Sequence, residues 1–370
     1  MKVTKVDIAV IDLPLNEPWV MSKGQVDSVV ALIIQVRTDE GLVGIGGART
    51  GGRNFTHENI EAMKITAEKY FGPALVGADP LDINDWTERL NRAWGRGYTL
   101  TKAGFEIALY DLIGKELRRP LAEVLGGIWH KEVGLIGGVG AGEPAAMAEK
   151  AMSLVKKGYK TLKLKIGRGA DILKDEERVK TVRQAVGNDV GLRLDCNSVY
   201  NVREIMRLLP TIEKYNPLLI EDPIESWDVN DWAFLSSKSN VPICADHPIF
   251  TPEDAFRMLA CRGAQIIKVK MSKVGGLNNA RKIIHVAEAA GVDVIIGRGA
   301  TDNLTMMAEI HLIAATKNAL TVGEMTGSVR LKDHEVKNPV EAVNGKVTIS
   351  PLPGLGLELD EEKIRKYKVL

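Results

Sequence analysis

Beyond about Lys131 the chain alternates between short apolar stretches and amphipathic segments, at a spacing of roughly 25 residues. The apolar stretches predict strands at 133–138, 161–167, 191–197, 218–223, 242–247, 265–271, 293–297 and 320–324, with helices between them. Eight strands alternating with helices predict a parallel βα barrel. A doubly wound open sheet is the alternative, disfavoured because no Gly-x-Gly-x-x-Gly follows the first strand. Ahead of the barrel, residues 3–46 alternate as a small β-meander, with strands at 29–36 and 42–45 flanking the turn Thr38-Asp-Glu-Gly41. Helical periodicity follows at 56–70, 80–94 and 102–117. The last of these places Ala103, Ile107, Ala108, Leu112 and Ile113 on one stripe, and 120–127 closes the region. Strands followed by helices indicate a separate α+β domain. The tail from Pro339 reads as a hairpin around Asn344-Gly345 and a polar helix reaching Tyr367, expected to pack back on the N-terminal domain. The expected division is 1–127, 128–328 and 329–370.

Composition narrows the partners. The chain has 370 residues, and its 49 basic and 48 acidic side chains leave a net charge of +1. That provides no basic field for nucleic acid or a membrane surface. Cys196, Cys244 and Cys261 are odd in number and lack metal-type spacing, which suggests reduced thiols and a cytoplasmic protein. The N-terminus alternates like a strand and has no apolar signal-peptide core. No apolar run is long enough to span a bilayer.

The candidate chemistry lies at the strand ends. In Thr161-Leu-Lys-Leu-Lys-Ile-Gly167 the alternation puts Lys163 and Lys165 on one face and Leu162, Leu164 and Ile166 on the other. Like charge and burial both lower a lysine's pKa and make it a usable base. Strand three ends in Asp195 and Asn197, strand four in Glu221-Asp222-Pro223, strand five in Asp246-His247, strand six in Lys268, Lys270 and Lys273, and strand eight in Glu324. A βα barrel carries its chemistry at this end. Any one of these groups is as easily a capping Asp or a solvated Lys; consecutive strands ending this way are not. Asp195, Glu221 and Asp246, from adjacent strands, require a cation, because three unpaired buried anions are prohibitive. All-oxygen ligands select Mg²⁺, with Mn²⁺ as a substitute, and no His/Cys set suits zinc. Lys165 and Lys270 flank that point from opposite sides. Such an arrangement suits removal of a proton α to a carboxylate, with metal and lysines stabilising the enediolate oxygens. Lys163 would assist Lys165 and hold the substrate carboxylate, and a protonated Glu324 would hydrogen-bond it.

With these motifs in place, the sequence resembles the enolase superfamily in its muconate-lactonizing-enzyme/mandelate-racemase branch, over essentially the whole chain. The Lys-x-Lys, Asp-x-Asn, Glu-Asp-Pro and Lys-x-x-Lys-x-Gly-Gly motifs carry the resemblance in the barrel. Thr38-Asp-Glu-Gly-Leu-Val-Gly44, Ala108-Leu-Tyr-Asp-Leu-Ile-Gly-Lys115 and Leu125-Gly-Gly127 carry it in the N-terminal domain. The resemblance implies a modified (β/α)7β TIM barrel with an N-terminal α+β capping domain completed by the C-terminal segment. It also implies one Mg²⁺ on Asp195, Glu221 and Asp246, Lys165 and Lys270 as acid/base pair, and a homo-oligomer. A lysine on both strands two and six is the pattern of the muconate-lactonizing subgroup. Specificity in such proteins comes partly from two capping-domain loops. Here those are 14–25, with Trp19 and Met21, and 47–55, with Arg49 and Arg53. Asn197, Lys268, Arg298 and Trp19 join Lys163 and Glu324 as candidate substrate contacts.

The chain departs from the family at Gly46-Gly47-Ala48, where Gly-Glu-Ala is usual, at Asp246-His247-Pro248, at Arg298 to Asn303, and at Lys268, where a small or neutral residue is usual. These leave the metal and acid/base residues intact and shift the question to the substrate. The favoured reading is an isomerase of a small-molecule carboxylate: a muconate-type cycloisomerase, or a racemase or epimerase of an amino-acid derivative. A dehydratase acting on a hydroxy acid or hydroxyproline-like substrate shares the first half-reaction. A non-catalytic or Schiff-base barrel is a third reading, opposed by the three carboxylates. Dipeptide epimerases usually carry Asp-x-Asp on strand eight, which Gly323-Glu324-Met-Thr326 does not match.

Overall fold

The structure, a computed structural model, describes residues 1–21, 24–50 and 58–370, without the side chains at 19–21, 24, 25 and 170. The side chains of Trp19 and Met21, and the whole of Arg53 and Phe55, therefore lie outside the described residues. An antiparallel sheet opens the chain, with strands Val3–Met21, Gly24–Thr38 and Val43–Arg49 in sequential order. The first two form a longer hairpin than the periodicity predicted. After a register break between Pro14 and Trp19, backbone pairing resumes and runs to Met21 opposite Gly24. The segment expected as a loop over 14–25 is thus largely an extension of the hairpin.

The eight barrel strands form where the apolar stretches predicted them. The first is split into Glu132–Leu135 and Gly137–Val139. The others are Thr161–Lys165, Gly191–Asp195, Leu219–Glu221, Ile243–Ala245, Ile266–Val269, Asp293–Ile296 and Val322–Gly323. Seven pair in parallel order, and the eighth closes the ring by pairing in parallel with Glu132–Leu135. Helices follow the first seven strands, which makes this the expected (β/α)7β barrel. The strands are shorter than predicted and stop before Asn197, Asp246, Lys270 and Glu324. The backbone turns there: Asn197 and Ser198 both have positive φ, and Lys270 caps a short helix, Met271–Val274.

Two helices join sheet to barrel. Thr99–Leu117, expected to bury one stripe, is buried continuously from Leu100 to Gly114. It is wedged between the N-terminal strands on one side and the barrel helices on the other. Asn303–Ala314, after strand seven, is buried along its whole length for the same reason. A helix enclosed on all sides has no polar face to mark it. Close approach replaces side chains on Val43–Arg49: a Cβ on Gly46 would stand 2.1 Å from the Gly104 carbonyl oxygen. Polar ties complete the joint. The Asp111 carboxylate accepts from the backbone N–H groups of Ile45 and Leu355, and the His311 ring bridges the Ala122 N–H and the Leu355 carbonyl.

The tail forms its turn at Asn344-Gly345, but its strand, Lys346–Thr348, pairs mainly with the first barrel strand. Its helix, Glu361–Lys366, then returns the chain to the first sheet, where Tyr367 O accepts from Asp12 N and Val369 N donates to Val10 O. Among the described residues no helix is long and apolar enough to cross a membrane.

The glycine at position 47, where the resemblance leads one to expect Glu, has a steric cause. A Cβ there would stand 2.0 Å from Oδ1 of Asp302, the buried N-cap of Asn303–Ala314. The Gly47→Ala variant should therefore lose about 1–3 kcal/mol of stability, read as a lower urea midpoint at unchanged slope.

Candidate active site

Strand register brings the acidic and basic residues together. Lys165 stands opposite Asp195, Asp195 opposite Glu221, and Glu221 opposite Cys244, two residues short of Asp246. Each carboxylate is therefore delivered to the same mouth by its own strand. Asp195, Glu221 and Asp246 are all buried, as are Lys163, Lys268, Lys270 and Lys273.

The lysines stand between the carboxylates. Lys163 Nζ lies 2.7 Å from Asp195 Oδ2, 2.9 Å from Glu221 Oε2 and 2.6 Å from Glu324 Oε2. Lys165 Nζ is 2.5 Å from Asp195 Oδ2 and donates to Asn197 Oδ1 at 3.0 Å. Across the mouth, Lys268 Nζ is 2.9 Å from Glu221 Oε1, 3.7 Å from Asp246 Oδ2 and paired with Glu324. Lys270 pairs with Asp246, and Lys273 contacts both the Asp246 carbonyl and its Oδ1.

Those contacts decide the protonation states. Burial alone would raise the Asp195 and Asp246 carboxyls, but the surrounding ammonium groups outweigh it and hold both far below the usual range. At Lys163 burial is likewise overcome, by Asp195 and Glu221, so this lysine is held protonated rather than acidified. Lys270 behaves differently. Burial, helped by Lys268 and Lys273, prevails over Asp246 and pulls its pKa down to about 7. The lowering expected of paired lysines thus occurs on strand six, where several ammonium groups crowd fewer carboxylates.

Asp222 and His247 do not join this group. Asp222 follows Glu221 and faces away from it, with φ +45. Its Oδ1 accepts from the N–H groups of Asp246 and His247 at 2.9 and 3.0 Å, and its Oδ2 lies 2.6 Å from His247 Nδ1. Among the described residues, Asp222, Asp246 and His247 are the group whose ligand atoms lie within 4.8 Å of one another. The hydrogen bonding of Asp222 marks this as the clasp that aims Asp246, not a ligand set. Asp222 and Lys273 were both visible in the motifs, but their roles emerge only from these contacts.

Asp195, Glu221 and Asp246 are the candidate ligands for a divalent cation. Lysine ammonium groups stand between them, and among the described residues their oxygens do not share a common point within the 4.8 Å that the Asp222 group meets. Asp195, Glu221 and Asp246 are buried, come from adjacent strands and offer only oxygen. Asp246 Oδ2 is buried and makes no hydrogen bond beyond its ion pairing. A narrow cleft adjoins them between strands one, two and eight, beside Lys163, Lys165 and Glu324, with Gly138, Val139 and Thr326 among its walls. Arg298 lies deeper: its guanidinium donates to Ser272 Oγ at 3.2 Å and to the Arg49 carbonyl at 3.4 Å, and Arg49 donates to the Ala300 carbonyl. These bonds link the end of the N-terminal strand Val43–Arg49 to the loop after strand seven.

Comparison with known proteins agrees with this geometry. Residues 4–126 match the mandelate racemase/muconate lactonizing enzyme N-terminal domain, and residues 146–363 match the enolase C-terminal domain-like family. The chain is 31% identical to an L-Ala-D/L-Glu epimerase of Clostridium acetobutylicum, over 97% of this chain and 99% of that one. It is similar to the solved N-succinyl Arg/Lys racemase of Bacillus cereus, with a TM-score of 0.95 at 28% identity, over 100% of this chain and 99% of that one. A dipeptide epimerase of Enterococcus faecalis, solved in complex with Mg and the dipeptide L-Leu-L-Tyr, gives a TM-score of 0.91 at 31% identity, over 97% and 100% of the two chains.

One buried acid near the mouth escaped the sequence pattern. Glu309 lies fully buried inside Asn303–Ala314, beside Arg298. Burial pushes its pKa up to about 8, although Arg298 opposes the shift. A carboxyl raised on folding is neutral in both states at low pH. As pH climbs from the unfolded value to the folded one, the native state resists an ionisation that the unfolded chain undergoes freely, and stability is lost. Glu309→Gln should therefore melt above wild type at pH 9 and close to it at pH 4.5, a difference readable by thermal denaturation at the two pH values.

Proposed function

Because the chain belongs to the mandelate racemase/muconate lactonizing enzyme family of the enolase superfamily, we propose that it is a divalent-metal-dependent racemase or epimerase of an N-acylated amino acid. The observation that carries this reading is the opposed pair Lys165 and Lys270. Each comes from its own side of the barrel, and each is ion-paired to a different carboxylate of the same cluster. Two bases facing one carbon from opposite sides are what inversion at a carboxylate's α-carbon requires: one removes the proton and the other returns one to the far face.

Asp195, Glu221 and Asp246 would hold Mg²⁺. When bound, that ion supplies positive charge beside the substrate carboxylate. Lys163, held protonated by its neighbours, adds a fixed cation where negative charge grows on the carboxylate oxygens as the α-proton leaves. Asn197 holds the Lys165 ammonium toward Asp195 and orients it. Strand eight ends beside the cavity. Glu324, its one acidic residue at the cavity, is occupied by Lys163 and Lys268, so the site favours an amide nitrogen whose acyl group carries no ammonium. The named activities of the similar Bacillus and Clostridium proteins support an isomerase acting on amino-acid derivatives.

The test is deuterium incorporation. Incubation with Mg²⁺ in D₂O and a panel of N-acyl amino acids, dipeptides, muconates and hydroxyprolines should give one α-deuterium with no change of formula in the N-acyl series. Loss of water would reassign the protein as a dehydratase, and a labelled lactone as a cycloisomerase. Lys165→Ala and Lys270→Ala should each lower racemisation at least about a hundredfold while circular dichroism stays native. Either variant turning over at wild-type rate would sink the two-base reading. Chelation with EDTA should stop turnover, and added Mg²⁺ should restore it.

A further inference from the structure

The Lys268–Glu324 pair has no place in proton transfer. Lys268 is fully buried below Lys270, and its ammonium is shared by Glu221, Asp246 and Glu324. Two of those three are carboxylates read here as metal ligands. Around the mouth, the ammonium groups of Lys163, Lys165, Lys268, Lys270 and Lys273 face the carboxylates of Asp195, Glu221, Asp246 and Glu324. Each of the four carboxylates thus has at least two of the protein's own lysines against it.

This has an electrostatic consequence for any ion held there. An ammonium at hydrogen-bond distance from Glu221 Oε1 competes for lone pairs that a cation would use, and it repels that cation across a few ångströms of poorly solvated protein. Glu324 acts in the opposite sense. It comes from strand eight, away from the strand-three to strand-five ligands, and receives both Lys163 and Lys268. It shares both ammonium groups with Glu221 and offsets their charge. We propose that Lys268 and Glu324 are positioning residues forming a charge balance that sets the affinity of the site for its divalent ion: Lys268 lowers it and Glu324 restores it. The inference rests on the assignment of Asp195, Glu221 and Asp246 as the ligands.

Mn²⁺ alone is the probe, with the free ion followed by electron paramagnetic resonance during titration of the whole chain. Lys268→Met should tighten Mn²⁺ binding about tenfold and Glu324→Gln should weaken it by a similar factor, since each changes one unit charge near a doubly charged ion. The double variant should bind within about threefold of wild type, because its net charge is unchanged. Opposite signs from the two single variants are the diagnostic result, as structural damage would weaken both. Unchanged or weaker binding by Lys268→Met would overturn the proposal. Should that variant fail to fold, a double variant binding no better than Glu324→Gln overturns it equally. Asp195→Asn separates the two levels. If it binds Mn²⁺ as wild type does, the ligand assignment falls and this inference with it. If it weakens binding while Lys268→Met fails to tighten it, only the charge balance is wrong.

Discussion

The mouth of the barrel is organised by one electrostatic constraint: anions and cations that water would normally separate are packed together away from it. A lone buried charge would cost several kcal/mol, so no member of the cluster is tolerable without the others. Asp195 needs Lys163 and Lys165, Asp246 needs Lys270 and Lys273, and Glu324 needs Lys163 and Lys268. The same constraint creates the chemistry. Where carboxylates outweigh burial, as at Lys163, the ammonium is fixed as a permanent cation. Where burial and neighbouring ammonium groups outweigh the carboxylate, as at Lys270, a lysine is left able to exchange a proton near neutral pH.

The scaffold supports this arrangement by division of labour. Each barrel strand delivers one or two groups and then turns, and the turns are strained where they matter: Asn197, Ser198 and Asp222 all adopt left-handed backbone conformations. Asp222 converts its turn into a clasp on the backbone of Asp246 and His247. The N-terminal sheet is tied down at the same end. Arg298 reaches the Arg49 carbonyl, and Asp302 fills the space above Gly47. The space a side chain at position 47 would need is thus taken by the Asp302 carboxylate, arriving from the loop after strand seven.

Much of this was legible in the residue order, for a local reason. Strand alternation fixes which side chains share a face, so Lys163 with Lys165, and Asp195 with Asn197, could be grouped from spacing alone. The regular recurrence of apolar stretches specified the barrel, and its strand ends named the lysines and carboxylates that meet at its mouth. The helix at 99–117 was legible, but the burial of Leu100 to Gly114 and of Asn303 to Ala314 on all sides was not, since it depends on what packs against each face. The tail returns to the first sheet as expected, but the pairing of Lys346–Thr348 with the first barrel strand was not legible, because it joins segments some two hundred residues apart. Glu309 carried no signal at all, as one acidic residue in an apolar helix looks like any surface position.

By itself, then, the sequence determined the barrel, the order of its charged strand ends and the family, because each depends on periodicity and on contacts between neighbours in a strand. The tertiary structure decided how those charges are apportioned. That Lys268 meets Glu221 and Glu324, that Lys163 is held protonated while Lys270 is driven toward neutrality, and that His247 serves Asp222, all depend on distances across the barrel. Coulomb interactions in a poorly solvated site change steeply over a few ångströms, and no one-dimensional pattern carries that separation.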